Sequence, residues 1–269
     1  MSCYKLEKLV CRRQPIFREV EDLYVLIMEG SENENNVREQ LRKYPLCKNM
    51  WLQWNKGFKK CKKEYVNVTI NDLFHANVNV FKKCKKSRVL ILEEDFLIYP
   101  EILEASKKID DFLKIKNPEF FTFGSIMLGK EEKNGNFMKI INKFGTQACI
   151  YNNIASKKVI KFYECNKHKN IDIDVYTNSF LQMYTYKEPL IIQVFNETEN
   201  MNNWAKEQPE YLYKIFNPFI RNFVKITNLD KKECAIHVFR LIYNIAYNEN
   251  KYCNKIDEFS KLIKQLFYS

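Results

Sequence analysis

The sequence predicts an α/β fold, a mixed, mostly parallel sheet flanked by helices, with a helical C-terminal part. Three observations predict it. Short apolar runs rich in strand formers alternate with amphipathic stretches over residues 22–203, the pattern of βαβ units with right-handed crossovers. One run, Val89-Leu90-Ile91-Leu92, is apolar at consecutive positions, as a strand covered on both faces requires. From Trp204 onward apolar residues recur only at i, i+3, i+4 spacing, through Leu212, Ile215 and Phe219 to Ile263 and Phe267.

Each element follows from its residues. Positions 1–21 are mixed and Arg-containing, without a clear period, and read as an N-terminal arm or helix. Leu23 to Met28 is a strand ended by the turn signal Glu29-Gly30-Ser31. Residues 32–44 are helix-compatible up to Pro45, and Met50 to Trp54 form a second strand. In 71–86, Leu73, Ala76, Val80 and Phe81 share one helical face. Arg88 to Asp95 is a strand stopped by Glu93-Glu94-Asp95, and 101–115 is a helix. Phe120 to Leu128 is a strand, 130–136 a polar loop, Thr146 to Tyr151 a strand, 154–164 a helix and Pro189 to Phe195 a late strand. The resulting organisation is an arm over 1–21, an α/β domain over 22–203 and a helical extension over 204–269 packed on it.

Composition bounds the function. The 269 residues are 46 % hydrophobic and 14 % aromatic, with 6 Gly and 7 Pro, which excludes disordered, collagenous and linker-like classes. No run of about 18 apolar residues exists to span a membrane, and the start, Met1-Ser2-Cys3-Tyr4-Lys5, does not read as an export signal. A cytoplasmic location and free thiols at all 9 cysteines are the expectation. Cys165 and His168 have ligand-like spacing, but no second pair completes a zinc site. The net charge of +11 suits polyanions, and Phe58-Lys59-Lys60-Cys61-Lys62-Lys63 recurs as Phe81-Lys82-Lys83-Cys84-Lys85-Lys86. These lysines read either as solvated helix ends or as a basic patch. The richness in Lys, Asn and Ile also fits an AT-rich genome, that of a large DNA virus, a bacterium or a protist.

Chemistry concentrates at Glu93-Glu94-Asp95. Ligands of open α/β sheets bind at the carboxyl ends of strands, and carboxylates there hold Mg²⁺ or Mn²⁺ together with substrate phosphates. The alternative reading is a solvated acidic loop. The segment Val89-Leu90-Ile91-Leu92-Glu93-Glu94-Asp95-Phe96 resembles the acidic signature of glycosyltransferase family 25, the lipopolysaccharide and collagen galactosyltransferase group. In the same order, Leu73 to Val78 resembles that family's Ser-His helix, with Phe74 in the serine position and His75 matching the histidine. Phe121 to Gly124, Gly145 to Tyr151 with Ala155 to Lys158, Ile173 to Tyr176, and Pro189 to Gln193 resemble later blocks.

The resemblance implies a GT-A (Rossmann-like) fold and a metal-dependent, inverting hexosyltransferase. Such an enzyme moves a sugar from a nucleotide-sugar, typically UDP-linked, to a hydroxyl on a glycan or protein acceptor. It implies Mn²⁺ or Mg²⁺ as cofactor, with Asp95 as metal ligand and Glu93 at the metal or ribose. Glu94 stands in the middle of the motif, where the family has Asp. Asp174 is the implied general base or an acceptor-binding residue. The family's opening motif is missing, so Ile27, Met28, Glu29 and Gly30 are named only as the place where base and ribose belong. His237 and Trp204 are weighed as a late metal contact and a sugar-stacking ring, against structural roles. A non-catalytic GT-A-like binding module and a basic nucleic-acid-binding protein are the alternatives. No helix-turn-helix, zinc-finger or RNP-like motif accompanies the charge.

Overall fold

Strands and helices alternate in the computed structural model, which describes residues 2–193 apart from 12, 85, 133–134, 170–172, 174–176 and 178–179. The strands are β1 (Tyr4–Leu9), β2 (Asp22–Met28), β3 (Asn49–Asn55), β4 (Arg88–Glu93), β5 (Phe96–Ile98) and β6 (Phe120–Thr122). They continue as β7 (Ile126–Glu131), β8 (Phe137–Phe144), β9 (Ala148–Asn152), β10 (Met183–Tyr186) and β11 (Ile191–Gln193). The helices are α1 (Glu34–Lys43), α2 (Gly57–Lys60), α3 (Thr69–Lys83), α4 (Ile102–Lys116) and α5 (Asn153–Asn166).

Nine strands form one sheet in the order β1-β3-β2-β4-β9-β6-β10-β8-β7, and β5 pairs with β11 in a separate antiparallel ribbon. The sheet is mixed, as expected, but it is not mostly parallel, because β1, β8 and β9 each run against their neighbours. Its parallel pairings are β3–β2–β4 and β6–β10, and the other neighbours run antiparallel. β2 is buried at every position but its last, and β4 at all four central positions, because helices cover both faces.

The period-2 alternation of strands sorts these side chains into two layers. Leu23, Val25 and Ile27 of β2, Leu90 and Leu92 of β4, and Ala148 and Ile150 of β9 join Val37 and Leu41 of α1 and Ile102, Ile109 and Leu113 of α4 in one core cluster. The opposite face meets α3 and α5: the Phe81 ring of α3 lies edge-on to Tyr151 of β9 at 4.9 Å, and Gln53 Nε2 donates to Ala76 O at 3.0 Å. Local signals close the helices. The Asn152 side chain accepts from Ala155 N at the start of α5, and Asn117 ends α4 in the left-handed region, with φ 44°.

Several elements differ from the expectation. Residues 4–9, read as part of an arm or helix, form an edge strand antiparallel to β3. The stretch 120–128 is broken at Phe123-Gly124-Ser125 into β6 and β7, and β7 forms a hairpin with β8, where a loop and unassigned chain were expected. β5 and β10 were not foreseen, and the late strand is β11, paired with β5 outside the main sheet. The thiols are not all free: Cys3 and Cys61 form a disulfide with their Cα atoms 5.6 Å apart. The β1–β3 pairing places the start of β1 beside the chain leaving β3, a proximity hidden by the sequence separation of 58 between the two cysteines. Closing such a loop restricts the unfolded chain by about 4 kcal/mol. Among the described residues no helix is long and apolar enough to cross a membrane. The helical extension expected over 204–269 lies outside the described residues.

Candidate functional site

The chain leaves β2 through α1 to β3 on one side and returns through α3 to β4 on the other. The carboxyl ends of β2 and β4 therefore flank a topological switch point, where neighbouring connections diverge and leave a crevice. Glu93 is the last residue of β4, and Glu94 and Asp95 form the turn into β5. Met28 is the last residue of β2.

Each acid of the triplet has its own setting, and all three are half-buried. Glu93 donates its backbone N–H to Gln147 O at 2.9 Å, extending the β4–β9 ladder. Its Oε1 accepts the Thr146 hydroxyl at 3.1 Å. Glu94 turns toward β2, where its Oε2 accepts the Met28 N–H at 2.9 Å. Burial pushes the Glu94 carboxyl up to about 7, against the opposing pull of the Met28 N–H and the Ser31 hydroxyl, with the nearby Asp95 charge adding to the rise. Asp95 has its Oδ1 enclosed, and the chain continues at once into the fully buried Phe96 of β5. β5 is in turn held to α1: Asn36 Nδ2 donates to Phe96 O at 3.3 Å and Ile98 N donates to Gln40 Oε1 at 3.1 Å. The turn bearing the carboxylates is thus tied to β2, β9 and α1.

The Ile27–Gly30 segment lies on the same sheet edge. Ile27 is 1 % exposed and its side chain belongs to the core, so only its backbone is available to a ligand. Met28 is 39 % exposed, and Glu29 and Gly30 are exposed. Gly30 has φ +84° with open space where a Cβ would stand, so it allows the reversal after β2 without obstructing the crevice. Glu29 N donates to Asn55 O at 2.9 Å, tying this segment to the end of β3.

Beside it is a second charged cluster. The Lys63 ammonium meets the Asp72 carboxylate of α3 and donates to Asn55 Oδ1 at 2.6 Å, while Asp72 Oδ2 accepts from Phe58 N at 3.0 Å. The Tyr4 ring lies under the ammonium at 4.8 Å, and the Tyr4 hydroxyl is 2.7 Å from His75 Nδ1. Burial, helped by the Lys63 charge, holds the His75 imidazole below its ordinary range. His75 also lies edge-on to Tyr163 of α5. Phe74, standing where the resembled family has serine, is 2 % exposed and packs on Phe162 and Tyr163. This aromatic seam between α3 and α5 gives a structural reason for both residues.

Sequence reasoning placed the acids at a strand end but missed the groups that orient them, namely the Met28 N–H, Ser31, Thr146 and the Gln147 carbonyl. Gly145-Thr146-Gln147 stands out in the sequence only as a motif, and nothing in it discloses the ladder to β4. Asp174, His237 and Trp204 lie outside the described residues. Among the described residues no group of three or more His, Cys, Asp or Glu side chains is gathered to hold a metal ion. The donor chemistry at Glu93 and Asp95 is that of hard carboxylate oxygens, half-buried on either side of Glu94. It fits a Mn²⁺ or Mg²⁺ ion shared with substrate phosphates rather than one enclosed by an all-protein cage.

No family model matches the chain. No curated protein sequence matches it either. Solved structures do. A crystal structure of an STIV protein matches with 11 % identity over 62 % of this chain and 81 % of that one, at a TM-score of 0.37. HddC from Yersinia pseudotuberculosis matches with 8 % identity over 70 % and 80 %, at 0.37. A glycosyltransferase involved in the glycosylation of the major capsid of PBCV-1 matches with 13 % identity over 55 % and 67 %, at 0.34.

Proposed function

We propose that this chain is a metal-dependent glycosyltransferase of GT-A type, moving a sugar from a nucleotide-sugar donor, UDP-linked by preference, to a hydroxyl acceptor. The observation that carries the reading is the half-buried Glu93-Glu94-Asp95 turn at the carboxyl end of β4, beside the open end of β2. The ordered resemblance of five further segments to glycosyltransferase family 25 supports it.

In this reading Asp95 and Glu93 hold a Mn²⁺ or Mg²⁺ ion together with the donor diphosphate. Such an ion offsets the charge that develops on a departing diphosphate. The chain supplies the remainder. The Met28–Gly30 backbone receives the base and ribose at the end of β2, with Ile27 anchoring that strand from the core. Glu94 fixes the β2 end to the β4 turn through the Met28 N–H, keeping the crevice in one shape before the donor arrives. Thr146 holds the Glu93 carboxylate through its hydroxyl, so that Glu93 enters the site already oriented. Asp174 takes the proton of the attacking acceptor hydroxyl, and that oxygen displaces the nucleoside diphosphate in one inverting step.

The test is turnover of a UDP-sugar panel by wild type and by Asp95→Ala, with release of UDP as readout. A loss of about a thousandfold in the variant, in the range seen when charge-stabilising groups are removed from active sites, supports the reading. Equal turnover by the two proteins overturns it.

A further inference from the structure

A concave groove among the described residues lies away from the carboxylate turn. It has a volume of about 450 Å³ and sits where the end of β1 meets α1. β1 runs antiparallel to β3, with Leu9 opposite Met50, so this groove is at the amino-terminal end of β3. Glu93 and Met28 occupy the carboxyl ends of the neighbouring parallel strands, at the opposite edge of the sheet.

Its lining is cationic. Lys8, Arg13, Arg38 and Arg42 contribute, against the single acid Glu7. Arg38 is already committed: it pairs with Glu7 at 2.9 Å and with Glu34 at 2.8 Å. That arrangement consumes the only carboxylate in the groove, since Glu7 also accepts from the Trp54 indole at 3.0 Å. Lys8, Arg13 and Arg42 are exposed and form no ion pair among the described residues. Arg42 follows Arg38 by one turn of α1, so both stand on the same helical face. Lys8 leans over the Trp51 ring at 5.4 Å, which steadies its stem without neutralising it. Three uncompensated cations therefore converge on a concave site, one wall of which is a pre-organised Glu7–Arg38–Glu34 bridge.

Guanidinium forks match phosphate oxygens two at a time, and a concave site focuses its field on an anion. The volume is in the range of small-ligand sites, about 300–1,000 Å³. We propose that this groove is a binding site for a multiply charged phosphate group, held by Arg13, Arg42 and Lys8. It needs no metal and does not depend on the transferase reading. Free oligophosphates and phosphomonoester lipid headgroups share that chemistry.

The test uses the full chain in EDTA, which separates this site from any metal-assisted binding at the carboxylate turn. Calorimetric titration with inorganic tripolyphosphate is run on wild type, on Arg13→Glu/Arg42→Glu, and on Lys59→Glu/Lys60→Glu, which reverses charge in the first Lys-rich repeat. Cosedimentation with phosphatidylcholine vesicles, with and without phosphatidic acid, forms the second arm. Binding weakened about tenfold or more in the arginine variant, through loss of charge-assisted contacts, and unchanged in the lysine variant supports the proposal. Tripolyphosphate binding identifies a soluble ligand, and binding to phosphatidic acid vesicles alone identifies a headgroup. Absence of both, or equal weakening in the two variants, overturns the proposal. Arg13→Gln/Arg42→Gln, without charge reversal, provides the same comparison if the glutamate variant fails to fold.

Discussion

Two charged clusters stand on the carboxyl-end side of β3 and β4, the two strands that flank β2, and they are built in opposite ways. Beyond β3, Asp72 meets the Lys63 ammonium, and the two side chains are 7 % and 2 % exposed. Asn55, Phe58 N and the Tyr4 ring complete their surroundings. Beyond β4, three consecutive acids remain half-buried, with Glu93 oriented by the Thr146 hydroxyl and Glu94 by the Met28 N–H. A buried ion pair closed on all sides has nothing to offer a ligand and serves to hold the chain that carries it. Carboxylates held in place but reachable from solvent can still exchange a partner. The contrast separates a structural cluster from a candidate site at one end of the sheet, although both contain an Asp residue.

The comparison is sharpened first by crossing the two clusters. Asp95→Ala is expected to lower turnover about a thousandfold while leaving the melting temperature within about a degree of wild type, read by UDP release and by calorimetry. Asp72→Ala is expected to do the reverse. It leaves the enclosed Lys63 ammonium without its counterion and costs about 3–5 kcal/mol of stability, measured by urea unfolding, while specific turnover of the folded fraction is retained. If Asp72→Ala removed turnover at full stability, the assignment of the two clusters would be wrong.

A smaller effect is expected at the disulfide that borders the structural cluster. Cys3→Ser is expected to lower stability by about 2–4 kcal/mol, with Asp95-dependent turnover unaffected. Wild type in dithiothreitol should match the variant.

The smallest effect is a pH dependence at His75. Burial lowers its proton affinity in the folded state below the ordinary value of 6.5. The unfolded chain then binds the proton more readily, so the stability contributed here is present above about pH 6.5 and lost as pH falls through that value. His75→Asn, which keeps an acceptor for the Tyr4 hydroxyl, is expected to flatten this loss between about pH 7.5 and about pH 5, read by urea unfolding at each pH. An unchanged profile would mean that His75 is not the group responsible.

The strands and helices legible in the sequence are those whose apolar pattern is strong. β2 and β4 read as continuous apolar runs, and α3 and α4 as amphipathic faces. The elements that escaped are short or polar. β8 carries Lys139, Asn142 and Lys143, and the Lys143 side chain is enclosed with its ammonium 4.8 Å from the Phe120 ring, a setting no pattern rule anticipates. β5 has three residues, too few for any period to register. β1 alternates, yet its role depends on a partner strand more than 40 residues away. The site follows the same division. Glu93, Glu94 and Asp95 were legible because acids abruptly end an apolar strand. The Met28 N–H and the Thr146 hydroxyl were not, since they reach the acids only through sheet pairings across 66 and 53 residues.

The central claim is that the β4 turn binds a nucleotide-sugar through Glu93 and Asp95. Thermal unfolding against UDP-, GDP-, CMP- and dTDP-sugars, with and without Mn²⁺, tests it directly on wild type and Asp95→Ala. A ligand at a hundredfold excess over its Kd stabilises the folded state by about 2.7 kcal/mol. The account expects a Mn²⁺-dependent rise in melting temperature with one nucleotide class, absent in Asp95→Ala. A cooperative melt that no sugar nucleotide shifts, or a shift that survives in Asp95→Ala, would contradict it.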